Sequence, residues 1–260
     1  MNSRTAGIVI SAAIALVAGN AAATSSSTAT MSGFTIQLVD LDPSDKQAPF
    51  VVFGSGSSSV DVQMYGPGAW VDTVYQSGTT LGAIDYSLSQ PNMVVSGSFD
   101  GSTVKTSSFA TGPDQTYAQL GFNFGPDGGT SFTLSPETRL VISADVSLAA
   151  TNSWASNDDN SRAWAWLMLS AGGTQQWPIE VLYAGQTYGQ PLSTSWSGQL
   201  SVSFDNLSST DTASGLFAGR VGGSAQSTHA TSSVPEPEEA SLLLAGIGLV
   251  GLVGARRRAL

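Results

Sequence analysis

The sequence predicts an all-β body, an antiparallel β-sandwich of Greek-key or jelly-roll type, set between two removable apolar ends. Three observations predict it. Apolar and polar residues alternate with a period of two through most of the interior. Clusters of Gly, Pro, Asn and Asp interrupt that alternation at short intervals. No interior stretch shows the 3.6-residue spacing of an amphipathic helix, and no 20–50-residue repeat points to a solenoid or propeller.

The alternating rows follow one another along the chain. Phe34, Ile36 and Leu38 alternate with Thr35 and Gln37, and Val60, Val62 and Met64 with Ser59, Asp61 and Gln63. Ala118, Leu120, Phe122 and Phe124 form a third row. Leu140, Ile142, Ala144, Val146 and Leu148 form a fourth, Trp177, Ile179, Val181 and Tyr183 a fifth, and Leu200, Val202 and Phe204 a sixth. Each reads as a half-buried strand with one wet face. Residues 163–170 are apolar on both faces and are expected to form a central strand. Turns are expected at Gly54-Ser55-Gly56, Gly66-Pro67-Gly68, Asp100-Gly101, Gly112-Pro113-Asp114, residues 125–129, Gly172-Gly173 and Asp205-Asn206.

Composition narrows the function classes. The 260 residues include 29 Gly, 11 Pro and no Cys, and only 11% are charged. The exterior must therefore be built from uncharged polar residues. A formal charge of −10 excludes nucleic-acid binding through a broad basic face. The lack of Cys excludes disulfides, cysteine nucleophiles and thiolate metal sites. The single histidine, His229, excludes any site that needs two imidazoles. Between residues 24 and 233 stand 16 acidic and 5 basic residues, so the body carries −11.

The two ends read as addresses. Arg4, the apolar residues 8–18 and Ala21-Ala22-Ala23 form a secretory signal peptide, with Ala21 and Ala23 at the positions signal peptidase reads and cleavage expected after Ala23. At the other end, Val234-Pro235-Glu236-Pro237 precedes an uncharged run over 240–255 and then Arg256, Arg257 and Arg258. At ~1.5 Å per residue that run reaches about 24 Å as a helix, short for a ~30 Å bilayer core unless the bilayer thins or the arginines snorkel. The three arginines stop transfer and stay cytoplasmic, leaving the body outside the inner membrane. The expected organisation is signal peptide 1–23, sandwich domain 24–223, flexible linker 224–233 and sorting tail 234–260.

The order Val234-Pro235-Glu236-Pro237, apolar span, arginine cluster resembles the PEP-CTERM sorting signal. Tails of this kind also resemble the segment named after ice-binding proteins, a label that describes the tail and not the body. The resemblance implies transient anchoring in the inner membrane and recognition of the Pro-Glu-Pro by an exosortase. It further implies delivery to the cell surface or matrix, with exopolysaccharide as the expected associate. Residues 131–206 look like the body of other PEP-CTERM proteins, which supports the sandwich and assigns no catalytic residue.

Three constellations in the body bear on chemistry. Asp40, Asp42 and Asp45 place three carboxylates within six residues, a weak calcium candidate weighed against a solvated acidic turn. Trp154, Asp158 and Asp159 join an indole to a polar loop that suits a sugar or calcium, or simply a turn that caps its own backbone. Trp164 and Trp166 share a face if 163–170 is a strand, and with Trp177 they are expected mainly in the core. Glu137 and Glu180 are the only glutamates of the body, and neither has an evident partner for glycoside hydrolysis. His229 lies in the linker and no Gly-x-Ser-x-Gly elbow precedes a helix, so a serine triad has no place to form. Asn206-Leu207-Ser208 matches a glycosylation sequon, read as a chance match. No cofactor is implied. Expectation falls on an exported, non-enzymatic surface protein, with a carbohydrate-binding module, calcium-dependent or not, as the alternative and a polysaccharide-degrading enzyme as the third reading.

Overall fold

The computed structural model of the chain describes residues 24–54, 58–66, 69–78, 83–111, 117–124, 130–153, 160–185 and 191–227. All of them fall in one compact unit, Ala22–Ala230. The signal peptide, the sorting motif Val234 to Pro237, the apolar span and Arg256 to Arg258 lie outside the described residues, as do Ala21 and Ala23. The described residues contain no helix. The strands, in chain order, are β1 (Thr24–Asp40), β2 (Val51–Phe53), β3 (Ser58–Gly66), β4 (Ala69–Gly78) and β5 (Ile84–Gln90). Next come β6 (Met93–Phe99), β7 (Val104–Thr111), β8 (Tyr117–Phe124), β9 (Thr130–Leu134) and β10 (Thr138–Asn152). The last five are β11 (Asn160–Ala171), β12 (Thr174–Gln176), β13 (Ile179–Ala184), β14 (Ser193–Asn206) and β15 (Ala213–Gln226).

Every pairing is antiparallel. A six-stranded sheet runs β14-β10-β1-β7-β6-β5, and a nine-stranded sheet runs β12-β11-β15-β8-β3-β4 with β13 on β11 and β9 bridging β15 to β2. The two sheets pack face to face. Met31, Leu140, Ile142, Val146 and Leu148 of the first share one apolar core with Phe132, Leu134, Leu167, Leu169 and Val221 of the second. Burying each of these side chains contributes about 1.5–3 kcal/mol. Phe132 ties the layers together, its ring 6.5 Å from Phe204 of β14 and 6.4 Å from Phe53 of β2.

At one end the sheets approach more closely than the ~10 Å usual between stacked sheets, with Cα atoms of β1 and β15 within 8 Å of each other. The inner residues there are small: Ser25, Ser27, Ala29, Ser108, Ala163, Gly223 and Ala225. A Cβ on Gly223 would sit 2.3 Å from Ser27 Oγ. Hydroxyls bond across the gap, Ser25 Oγ donating to Gln226 O at 2.7 Å and Ser108 Oγ to Gly223 O at 3.1 Å.

Several expectations need correcting. The linker expected from 224 does not begin there, because β15 continues through Gln226, with Ser224, Ala225 and Ser227 buried. Asp205-Asn206 is not a turn. Both residues close β14, and buried Asn206 donates its Nδ2 to the carbonyls of Ser135 and Asp211 at 2.9 Å. That amide is engaged inside the fold, which removes the sequon as an accessible acceptor. Trp164 and Trp166 do share a face of β11, but it is the outer one. Ala163, Ala165, Leu167, Leu169 and Ala171 occupy the core side, where the sheet spacing favours small residues. Trp177 is not in a strand and is 55% exposed. The row Ile179, Val181, Tyr183 also faces outward, because its register with Trp166, Trp164 and Arg162 puts it on their side of the sheet.

Candidate functional site

Strand pairing assembles an aromatic and cationic patch on the outer face of the nine-stranded sheet. Residues directly opposite across a ladder share a face. The register therefore sets Tyr183, Arg162 and Ser224 in one row, Val181, Trp164 and Gly222 in the next, and Ile179, Trp166 and Arg220 in the third. Gly222 and, beyond it, Gly121 of β8 carry no side chain, so the row of Trp164 continues as bare backbone to Asp61 of β3.

The patch has a buried foundation and an open surface. Trp164 is 7% exposed yet stands apart from the core cluster, and the Arg220 guanidinium lies 5.3 Å from its ring centroid. Above it, Trp177 meets Trp166 edge-on, with ring centroids 5.4 Å apart. Trp177, Ile179 and Tyr183 are all exposed. Arg162 sits 5.4 Å from the Tyr183 ring, and its Nε is buried without a hydrogen-bond partner. Cation–π contacts hold both guanidiniums against the sheet. Exposed aromatic surface with cationic donors beside it suits a hydroxylated, negatively charged ligand.

The outer face of the six-stranded sheet is different. Its rows read Ser197, Ser147, Thr30, Lys105, Ser98, Asp85 and then Ser195, Ala149, Thr28, Ser107, Ser96, Ser87. Two shallow grooves lie on it, of about 490 and 280 Å³, meeting at Thr30. The larger contains one carboxylate, Asp145, which accepts from Gln199 Nε2 at 3.3 Å. The smaller is lined by both Asp85 and Lys105, with Ser98 between them. Neither brings together the two facing carboxylates that glycoside hydrolysis uses.

The acidic segment after β1 turns its carboxylates on itself. Asp40 Oδ1 accepts from Asp42 N at 3.0 Å, Asp42 Oδ1 from Ser44 Oγ at 2.6 Å and Ser44 N at 3.0 Å, and Asp45 Oδ1 from Gln47 N at 2.7 Å. The Ser44 hydroxyl and then its amide hold the Asp42 carboxyl below its ordinary range. Glu137 joins this cluster from the β9–β10 turn, its carbonyl accepting from Leu41 N at 2.7 Å. Loss of water first, then repulsion from Asp42, Asp45 and Asp40, pushes its carboxyl above the ordinary range. No group of three acidic or histidine side chains among the described residues is arranged to hold a metal ion. Trp154, Asp158 and Asp159 lie outside the described residues. Glu180 sits on β13 opposite Ala165, on the other side of the strand from the patch.

The sequence singled out Trp164, Trp166 and Trp177 but expected them mainly in the core, and it missed Arg162, Arg220, Ile179 and Tyr183 as their companions. The available signal was a strand apolar on both faces with an arginine at its start. No family model matches this sequence, and no curated protein or solved structure matches it.

Proposed function

We propose that this chain is an exported, non-enzymatic surface protein that associates with exopolysaccharide through the outer face of its nine-stranded sheet. In this reading the signal peptide directs export and is removed by signal peptidase. An apolar C-terminal helix then anchors the protein transiently in the inner membrane with Arg256, Arg257 and Arg258 in the cytoplasm. An exosortase processes it at Val234-Pro235-Glu236-Pro237, and the body passes to the surface or matrix. The sandwich is of Greek-key or jelly-roll type, and no nucleic acid is a partner. The tripartite tail supports the sorting part of the reading.

The observation that carries the molecular role is the exposure of Trp177, Ile179 and Tyr183 around Trp166 on an otherwise hydroxyl-rich, acidic body. Exposed clustered aromatics mark interaction surfaces. Two experiments test the proposal. Mass spectrometry of the C-terminus after co-expression with an active exosortase is expected to show loss of the tail, and an intact tail overturns the sorting part. A glycan array is expected to show binding that Trp177→Ala abolishes. The same observation favours the second reading, a secreted carbohydrate-binding module, which differs in needing no surface attachment. Recovery of all mature protein in the medium, with none on cells, selects it.

A further inference from the structure

We propose that the ligand of this aromatic face is an acidic polysaccharide whose sugars carry carboxylates, with Arg162 as the principal anion-binding residue. This rests on the reading of the face as glycan-binding and adds the charge of the glycan. The body between residues 24 and 233 carries −11 and has only five cationic side chains. Arg139 is committed to Asp205 in a two-pronged pair at 2.7 Å on the other sheet. Lys105 stands in the hydroxyl rows two strands from Asp85, and Lys46 in the acidic loop. The remaining two, Arg162 and Arg220, share the aromatic face.

Arg162 is held partly out of water, lies against the ring of Tyr183 and keeps a buried, unbonded Nε, with no ion pair to any carboxylate among the described residues. A guanidinium so placed lacks the charged acceptor that normally accompanies partial burial. Among the described residues, the acids nearest in register are Asp61, three strands and ~14 Å beyond Trp164, and Glu180, which points to the opposite side of β13. A carboxylate on the ligand completes Arg162 with a bidentate pair, while Trp166 and Trp177 take the apolar faces of the sugar rings. Arg162 and Trp166 stand four residues apart on one face of β11, about 13 Å, long enough to touch more than one sugar. A second copy of the chain is a poor occupant, because a two-fold interface sets this patch against itself and brings like guanidiniums together.

The test uses the full-length chain in mild detergent, titrated with polygalacturonate and with the same polymer after carboxyl reduction. Polygalacturonate is expected to bind, more weakly as salt rises. Arg162→Gln and Trp177→Ala are each expected to weaken binding at least tenfold, with Lys105→Gln unchanged and far-UV circular dichroism preserved in all three. Equal affinity for the reduced polymer overturns the acidic-ligand proposal and leaves the glycan reading standing. Failure to bind either polymer overturns both. A dimer, seen by sedimentation, that Trp177→Ala dissolves identifies a second copy as the occupant and overturns the proposal as well.

Discussion

The two outer faces of this protein are made by the same device, a period-two alternation in antiparallel strands, and they differ in what fills it. On the six-stranded sheet the outward positions around Thr28, Thr30, Ser96 and Ser147 are mostly Ser and Thr, with Lys105 and Asp85 among them and the apolar Val94 and Ile36 exposed apart from one another. On the nine-stranded sheet the outward positions of β11 and β13 hold Trp, Tyr, Ile and Arg. The cations follow the same division. Arg139 on the hydroxyl side has its carboxylate, whereas Arg162 on the aromatic side has, among the described residues, a ring and no carboxylate. A hydroxyl face is solvated well by water alone. An exposed aromatic face with a half-buried guanidinium is solvated poorly, which is why the second face and not the first is read as the binding surface.

The largest effect should come from breaking the clamp that holds the two faces in one body. Phe132 is 2% exposed and touches Phe53 and Phe204, so Phe132→Ala is expected to destabilise by about 3–5 kcal/mol in urea unfolding. Next is Gly223→Val, which drives a side chain into Ser27 where the sheets are closest. A loss of about 1–3 kcal/mol is expected, with Gly223→Ala milder.

Charge separates the faces at lower amplitude. The Arg139–Asp205 pair is 46% and 33% exposed, so Asp205→Asn is expected to remove no more than about 1 kcal/mol. The hydrogen bond from Arg139 holds the Asp205 carboxyl below its ordinary range. The stabilisation is therefore present above the unfolded value near ~3.9 and is lost as pH falls through the lower folded value, which melting curves across that window will show. Glu137 has the opposite sign. Its folded carboxyl is raised, so its contribution becomes unfavourable as pH rises past the ordinary glutamate range. It also sits at φ +46°, a conformation that favours glycine. Glu137→Gly is expected to raise the Tm at neutral pH, with the gain shrinking below pH ~4. Smallest of all, Thr30→Ala on the hydroxyl face is expected to change stability by less than about 0.5 kcal/mol and to leave glycan binding untouched.

Some of this was legible in advance. The rows of β3, β10 and β14 appear in the sequence as alternation, because one side of each is largely polar. The turns at Asp100-Gly101 and Gly172-Gly173 also fall where the residues place them, with all three glycines at positive φ. β7 and β15 were hidden for one reason: where the sheets come closest, their inner positions hold Thr106, Ser108, Gly219 and Gly223 in place of the large apolar residues that mark a core. The patch was half legible. Adjacent indoles two residues apart announced a shared face, but nothing local announced that Tyr183 and Arg220 would be brought beside them, Arg220 to Trp164 from 56 residues away in the chain.

The sequence by itself determined an antiparallel all-β body, its acidic and cysteine-free character, and the pairing of Trp164 with Trp166 on one face. Tertiary structure decided which face that was. In β11 both sides are apolar, so alternation could not choose between them. The choice was made by volume, because only the alanine side fits against β1 and β10 at the spacing the two sheets adopt. The indoles were left outside, where pairing with β15 brought Arg220 to Trp164 and pairing with β13 set Ile179 and Tyr183 beside them.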